Sequence, residues 1–545
     1  MSRRLLGIAA LALAPVVALG VFFVLPVAGM LAQGFWPDGV FDPAGVADVL
    51  SRPRVHRVLW FTLWSSAAGT AISLLLGLPA AYALHRLDLP GRRVIRAALL
   101  VPFVLPTVVV GVAFRQLLRE GGPLGFLGMD QTPWAIVAGL VFFNVAVVIR
   151  AVGASWEALD ARPGEAAASL GATPVQVLRT VTLPALRPAI VSAASIVFLF
   201  CATAFGIVLT LGGVEHATVE TEIYLLTTSV FDLQAAAALS ILQLVVVVAL
   251  LGLSQRLRAV PDPSVSRVVV RPRRPGRDDL PAVAVTVVLL ALVAAPILTL
   301  VAGSLRADGG WSLANYRALS STGEEQALVV PVTDALATSL RTAVDATWMA
   351  LSTGLLVALI VTRRSRSRTE RQARGILDGF FMLPLGVSAV TLGFGFLITL
   401  DEPPLDLRDT PLLVPIAQAM VALPLVVRTI VPVLAGIDDR QRQAAASLGA
   451  SPLRALLTVD LPVVWRPLLA ASGFAFAVSL GEFGATAFLA RDEHPTLPVV
   501  IFRLIGRPGE LNYGMALAAS VVLAGTTALV VLAVERLRIP SVGAF

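Results

Sequence analysis

One carboxylate stands alone in an otherwise apolar run: Glu482, in SLGEFGATAFL at 479–489, between Gly481 and Gly484. An ionisable side chain in such surroundings is costly unless it faces a cavity or a partner. A cationic solute would suit a lone carboxylate there, and Phe483 adds apolar lining. The rival reading is a glutamate near a membrane interface, solvated or paired with Arg491. Asn144, Arg150 and Asp345 are weaker polar candidates within apolar runs, and Asp345 balances Arg341 nearby.

Other chemistries are closed off by what the chain lacks. It has no lysine, so it cannot form the phosphate loop whose lysine reaches a bound nucleotide. Cys201 is the sole cysteine, which removes a disulfide framework or a thiolate metal cage. Within an apolar run it reads as a small buried hydrophobe. No catalytic residue, no metal site and no cofactor bound by this chain are expected.

The elements that position these groups are membrane helices. Of 545 residues, 57% are hydrophobic and 14% charged, too little charge for the surface of a soluble domain. Apolar runs of about 20 residues recur, enough to cross a hydrocarbon core of about 30 Å. The expected fold is all-α, with about twelve spans near 5–31, 59–84, 94–118, 134–152, 188–212, 235–255, 281–304, 335–361, 376–400, 411–434, 468–490 and 513–535. The first follows Arg3 and Arg4 but lacks a small-residue cleavage site, so it reads as a retained helix.

The net charge of +7 does not point to nucleic acid, because the arginines gather in loops between spans. HRLDLPGRR at 85–93, the stretch 256–279, TRRSRSRTERQAR at 362–374 and RLR at 536–538 share the side of the N terminus. Loop 213–234 has no arginine, and loop 401–410 has one against four acids. This bias places both termini in the cytoplasm. The expected location is the cell membrane, with the bilayer as an obligatory partner.

The chain also repeats itself with an offset near 280. EAAASLGATPVQVLRTVTLP at 165–184 and QAAASLGASPLRALLTVDLP at 443–462 agree at thirteen of twenty positions without a gap. Pro102 answers Pro384, Gly111 answers Gly393, and Gly77 answers Gly354. Six spans followed by six in the same orientation imply a parallel repeat. The halves are 1–258 and 281–545, joined by a cytoplasmic linker at 259–280 that reads as extended and poorly ordered. The counterpart of Glu482 is Ala204, followed by Phe205 and Gly206. A path between the halves would therefore carry one carboxylate and break the two-fold.

The twin stretches can each build a hairpin. The alanines favour a short helix, Gly171 and Gly449 permit a sharp reversal, and Pro174 and Pro452 can open a second helix. Leu183-Pro184 and Leu461-Pro462 are expected to end it. Two copies at one station of each half favour a pair of docking elements, within 160–187 and 438–466, over a mere cap on the bundle.

At this point the sequence resembles a known family. The stretches look like the EAA loop of binding-protein-dependent ABC importer permeases. Glu165, Ala166, Ala167, Gly171, Leu183 and Pro184 match its motif, as do Ala444, Ala445, Gly449, Leu461 and Pro462. Val181, Val459 and Gln443 depart from it, at the isoleucine and glutamate positions. The resemblance implies a fused pair of permease halves, docked on a homodimeric ATP-binding subunit that holds ATP and magnesium. It also implies an extracytoplasmic solute-binding protein. Fused permeases are typical of thiamine and ferric-iron importers. VFFNVAVVIRAV at 141–152, LTLGGVEHATVETEIY at 209–224 and SLGEFGATAFL look most like the thiamine type. Phe198, Phe200, Phe205 and Phe483 could line such a path, whereas iron would ask for more oxygen ligands than Glu482 alone. An ion-coupled secondary transporter is the distant rival; it predicts several intramembrane carboxylates or discontinuous helices in both halves and leaves the docking loops unexplained.

Overall fold

The computed structural model describes residues 12–213, 215–257, 272–363, 368–401, 405–408 and 410–536. The first repeat contains α1 (Ala12–Phe35), α2 (Pro53–Arg86), α3 (Arg92–Val104), α4 (Thr107–Leu118), α5 (Pro133–Ala158), α6 (Arg162–Ser169), α7 (Leu183–Ala202), α8 (Gly206–Leu211) and α9 (Leu233–Leu257). In the second lie α10 (Leu280–Ser304), α11 (Val332–Thr362), α12 (Arg368–Phe381), α13 (Ala389–Thr399) and α14 (Leu413–Ala435). They are followed by α15 (Asp439–Ser447), α16 (Leu461–Leu480), α17 (Thr486–Leu489), α18 (Leu497–Gly506) and α19 (Glu510–Arg536). Among the described residues the only strands are Arg306–Ala307 and Gly310–Trp311, a short antiparallel pair. Asp308 and Gly309 turn it with positive φ, the twist that tight hairpins prefer. The all-α expectation holds.

Among the described residues ten helices are long and apolar enough to cross a membrane. The two expected spans missing from that set, near 94–118 and 376–400, are broken. At the first, Leu105 is extended before Pro106, as the ring of a proline demands of its predecessor, and α3 and α4 meet at a bend of 105°. At the second, a short turn at Leu383–Gly386 separates α12 from α13, and Ser388 caps α13 by accepting the Thr391 N–H at 3.0 Å.

The polypeptide packs as two compact units that cut across the sequence halves. One comprises 12–50, 223–244 and 312–536; the other comprises 51–222, 245–257 and 272–311. The first helix of each half is thus built into the body of the other half. In the former unit Leu19 and Phe23 of α1 share a core with Val357, Phe381, Phe396 and Met420. In the latter, α10 lies along α2 and α4. Equivalent glycines allow a close helix approach in each unit. A Cβ on Gly77 would lie 2.7 Å from Val148, and one on Gly354 would lie 2.6 Å from Val426.

Part of the linker departs from the expectation of disorder. Residues 258–271 lie outside the described residues, but from Pro272 the chain is held. Arg273 bridges the Arg86 carbonyl and the Asp88 N–H by its own backbone, and its guanidinium reaches Asp279 at 2.7 and 2.8 Å and the Tyr82 hydroxyl at 2.8 Å. These bonds fix the entry to α10. Residues 364–367 of the arginine-rich loop, 402–404 and 409 of loop 401–410, and Leu537 and Arg538 of the tail also lie outside the described residues.

Candidate functional site

The twin stretches form hairpins of one design, one in each unit. In the first, α6 ends with Gly171 at φ +89°; the Gly171 N–H bonds to the Ala168 carbonyl and the Ala172 N–H to that of Ala167. In the second, Gly449 at φ +82° does the same toward Ala446, and Ala450 toward Ala445. This paired closure satisfies carbonyls left open at a helix end and requires a left-handed residue, which explains the glycines. Thr173 then caps Pro174–Val177, with Gln176 returning a bond to the Thr173 N–H at 2.8 Å. Ser451 accepts the Arg454 N–H at 3.3 Å in the other copy.

The Leu-Pro pairs do not end the second helix. A wider π-turn, Leu178–Thr182 or Leu456–Asp460, leads straight into α7 or α16. The Leu183 N–H bonds to the Leu178 carbonyl, five residues back. Pro184 and Pro462 lack the N–H that an α-turn would use, and the wider turn takes up that gap. Each hairpin is thereby joined to a membrane helix without a flexible hinge. Glu165, Ala166, Gln443 and Ala444 are exposed. Between the short helices Leu170 and Leu448 are 90% and 89% exposed.

A second pair of equivalent places lies where α7 gives way to α8 and α16 to α17. The chain leaves the helix at Thr203–Phe205 and at Gly481–Ala485. Gly206 is pressed against Thr107 and the Val108 N–H at the start of α4. Gly484 is pressed against Ala389 and the Val390 N–H at the start of α13. Breaks in two helices therefore meet at a glycine in each unit. Discontinuous helices, which the ion-coupled reading predicts, are thus present in both halves.

Glu482 caps the shorter piece. Its carboxylate oxygens accept the Ala485 N–H at 2.8 Å and the Thr486 N–H at 3.1 Å, and the group is buried. Neutral amides at the start of α17 thus hold the charge. Phe483 packs on Phe502 with ring centroids 5.5 Å apart, and Tyr224 meets Phe488 edge-on at 5.4 Å. Ala204, at the equivalent break, offers no acceptor side chain. Phe205 and Gly206 lie in the other unit with Asn144, whose amide donates to the Leu140 carbonyl at 2.9 Å and toward the Cys201 sulfur at 3.4 Å.

Three ion pairs in two clusters escaped the reading of the sequence. Arg54 grips buried Glu222 through Nε and Nη2, at 2.5 and 2.8 Å, and the Val219 N–H bonds to Thr62 at 3.0 Å. The stretch 209–224 is thereby tied to α2. Asp460, inside the second twin stretch, joins Arg442 and Arg363. The partners lie 168, 97 and 18 residues apart, and nothing in the local sequence pattern pairs them.

Among curated proteins, the chain is similar to the thiamine transport system permease protein ThiP of Brucella abortus (strain 2308). The match is 29% identical over 86% of this chain and 85% of that protein. ThiP of Escherichia coli (strain K12) is 27% identical over 83% of each chain. A probable ABC transporter permease protein, y4fN of Sinorhizobium fredii, is 25% identical over 88% of this chain and 87% of that one. A solved bacterial ABC transporter involved in import of alginate aligns over 47% of this chain and 98% of that chain, at 17% identity and a TM-score of 0.41. The model of the binding-protein-dependent transport system inner membrane component matches twice, over residues 69–259 and 350–538. Each match contains one twin stretch with its hairpin, and by this double match the chain belongs to that family of inner-membrane transport components.

Proposed function

We propose that the chain is a permease subunit of an ATP-driven importer that passes thiamine from an extracytoplasmic binding protein into the cytoplasm. Both termini lie in the cytoplasm, and the hairpins dock on two copies of an ATP-binding subunit, which carries ATP and magnesium. The observation that supports this most directly is the pair of hairpins. They share a closure, expose a leucine at one station, and run unhinged into α7 and α16. A rigid lever of that kind transmits displacement from a partner to the membrane helices. The absence of lysine from the chain agrees with an engine held elsewhere.

Thiamine is favoured over ferric iron by the relatives named for thiamine transport at 27–29% identity. The aromatic pairs beside Glu482 and Tyr224 suit an organic cation, for which an aromatic face and one carboxylate provide attraction without a full ligand shell. Glu482, with Phe483 and Gly484, is the proposed pathway element of one unit; Phe205, Gly206 and Asn144 are the residues proposed for that role in the other.

The test is uptake into proteoliposomes holding the permease and its ATP-binding subunit, with ATP inside and the binding protein outside. Labelled thiamine should accumulate only with ATP. Accumulation without nucleotide would sink the ATP-driven reading, whereas ATP-dependent uptake of ferric iron alone would replace the substrate.

A further inference from the structure

The two hairpins are alike in backbone and unlike in how they are fastened. Asp460 is the last residue of the π-turn that leads into α16, and it is 1% exposed. One carboxylate oxygen accepts Nε of Arg442, on the docking helix α15, at 2.7 Å. The other accepts a terminal guanidinium nitrogen of Arg363, just past the end of α11, at 2.8 Å. Arg442 also reaches Asp439 at 2.8 Å and the Leu434 carbonyl, in the last turn of α14, at 3.3 Å. A single buried carboxylate thereby fastens the docking helix and the π-turn to the ends of two membrane helices.

The first repeat lacks every charged part of this arrangement except one arginine. Thr182 stands at the position of Asp460 and Gly164 at that of Arg442. Arg86, the equivalent of Arg363, instead donates to the Leu159 carbonyl at 3.0 Å. A buried carboxylate between two guanidinium groups resists separation far more than a bond to one neutral carbonyl, because parting them strands charge away from water.

We propose that Asp460 is a positioning residue for energy coupling: it locks the second hairpin to its membrane helices so that this hairpin carries the greater share of the stroke. The inference rests on the ATP-driven reading given above. The mechanical logic is that a displacement applied to α15 passes through Arg442 and Asp460 into α11 and α16 together. On the first hairpin the same displacement passes along the backbone into α7.

The permease assembled with its ATP-binding subunit in proteoliposomes provides the test, through solute imported per ATP hydrolysed. Asp460→Asn should assemble and hydrolyse ATP while that ratio falls roughly fivefold or more, the range of a site-to-site coupling energy. The double variant Asp460→Thr with Arg442→Gly installs the residues of the first repeat, removes one of the two stranded arginines, and should show the same fall. A wild-type ratio in either assembled variant overturns the proposal, and so does loss of assembly in both, which would make Asp460 a folding residue. A wild-type permease that captures no ATP-binding subunit would instead remove the reading beneath it.

Discussion

Gly484 faces Ala389 so closely that a Cβ on the glycine would lie 2.9 Å from the alanine methyl and 3.2 Å from the Val390 N–H. The contact is to atoms fixed by backbone, so no rotamer change can relieve it. It locks the break before α17 onto the start of α13. Gly484→Val should therefore destabilise the permease by about 1–3 kcal/mol, the usual cost of overpacking. Gly252→Val, where the added carbon meets nothing within 4 Å, is the control. Thermal unfolding in detergent separates them: equal midpoints would remove the crossing as a constraint.

Glu482→Gln keeps an oxygen able to accept from the Ala485 or Thr486 N–H while removing the charge. The expected outcome is a rise in KM for a cationic solute of about tenfold, or about 1.4 kcal/mol, with assembly retained. Glu482→Ala also strips the cap and should lose about 1–3 kcal/mol of stability. Uptake kinetics of the glutamine variant that match wild type would leave Glu482 as a helix cap and nothing more.

Substituting a β-branched residue at Gly171 or Gly449 forces a left-handed backbone on it, at roughly 1–2 kcal/mol. Gly171→Val and Gly449→Val should still insert into the membrane, while ATP hydrolysis no longer drives uptake. Full transport by both variants would refute the docking role.

Leu170 and Leu448 touch little of their own chain. Leu170→Asp and Leu448→Asp should leave stability within about 0.5 kcal/mol, as exposed substitutions do. Affinity for the ATP-binding subunit should fall about tenfold for each. Titration of the purified partner measures it, and unchanged affinity in both would move the contact to another surface.

Much of this architecture could be read from the residues, and the errors have physical causes. Of the about twelve spans that hydropathy suggested, ten are single spanning helices among the described residues and an eleventh is a bent pair, because membrane burial depends on composition over about 20 residues. Hydropathy missed the breaks at Pro106 and Ser388, since a run stays apolar when its direction changes. The twin stretches were legible because glycine at a left-handed position admits few substitutes. Leu183-Pro184 misled because proline ordinarily ends a helix, and only coordinates reveal the π-turn that carries it onward. Glu482 stood out by charge, but its use as a cap by Ala485 and Thr486 depends on where α16 stops. Nothing in the sequence signals that Arg363, Arg442 and Asp460 meet, because their meeting is a product of tertiary packing.

The exchange of first helices has a consequence for how the protein is made. A ribosome that has finished residue 258 has completed neither folding unit, because α10 of one has not been synthesised and α1 still awaits residues beyond 312. Until the second repeat emerges, the insertion machinery or a chaperone must keep both α1 and the α10-facing side of α2 and α4 from mispairing with other nascent helices.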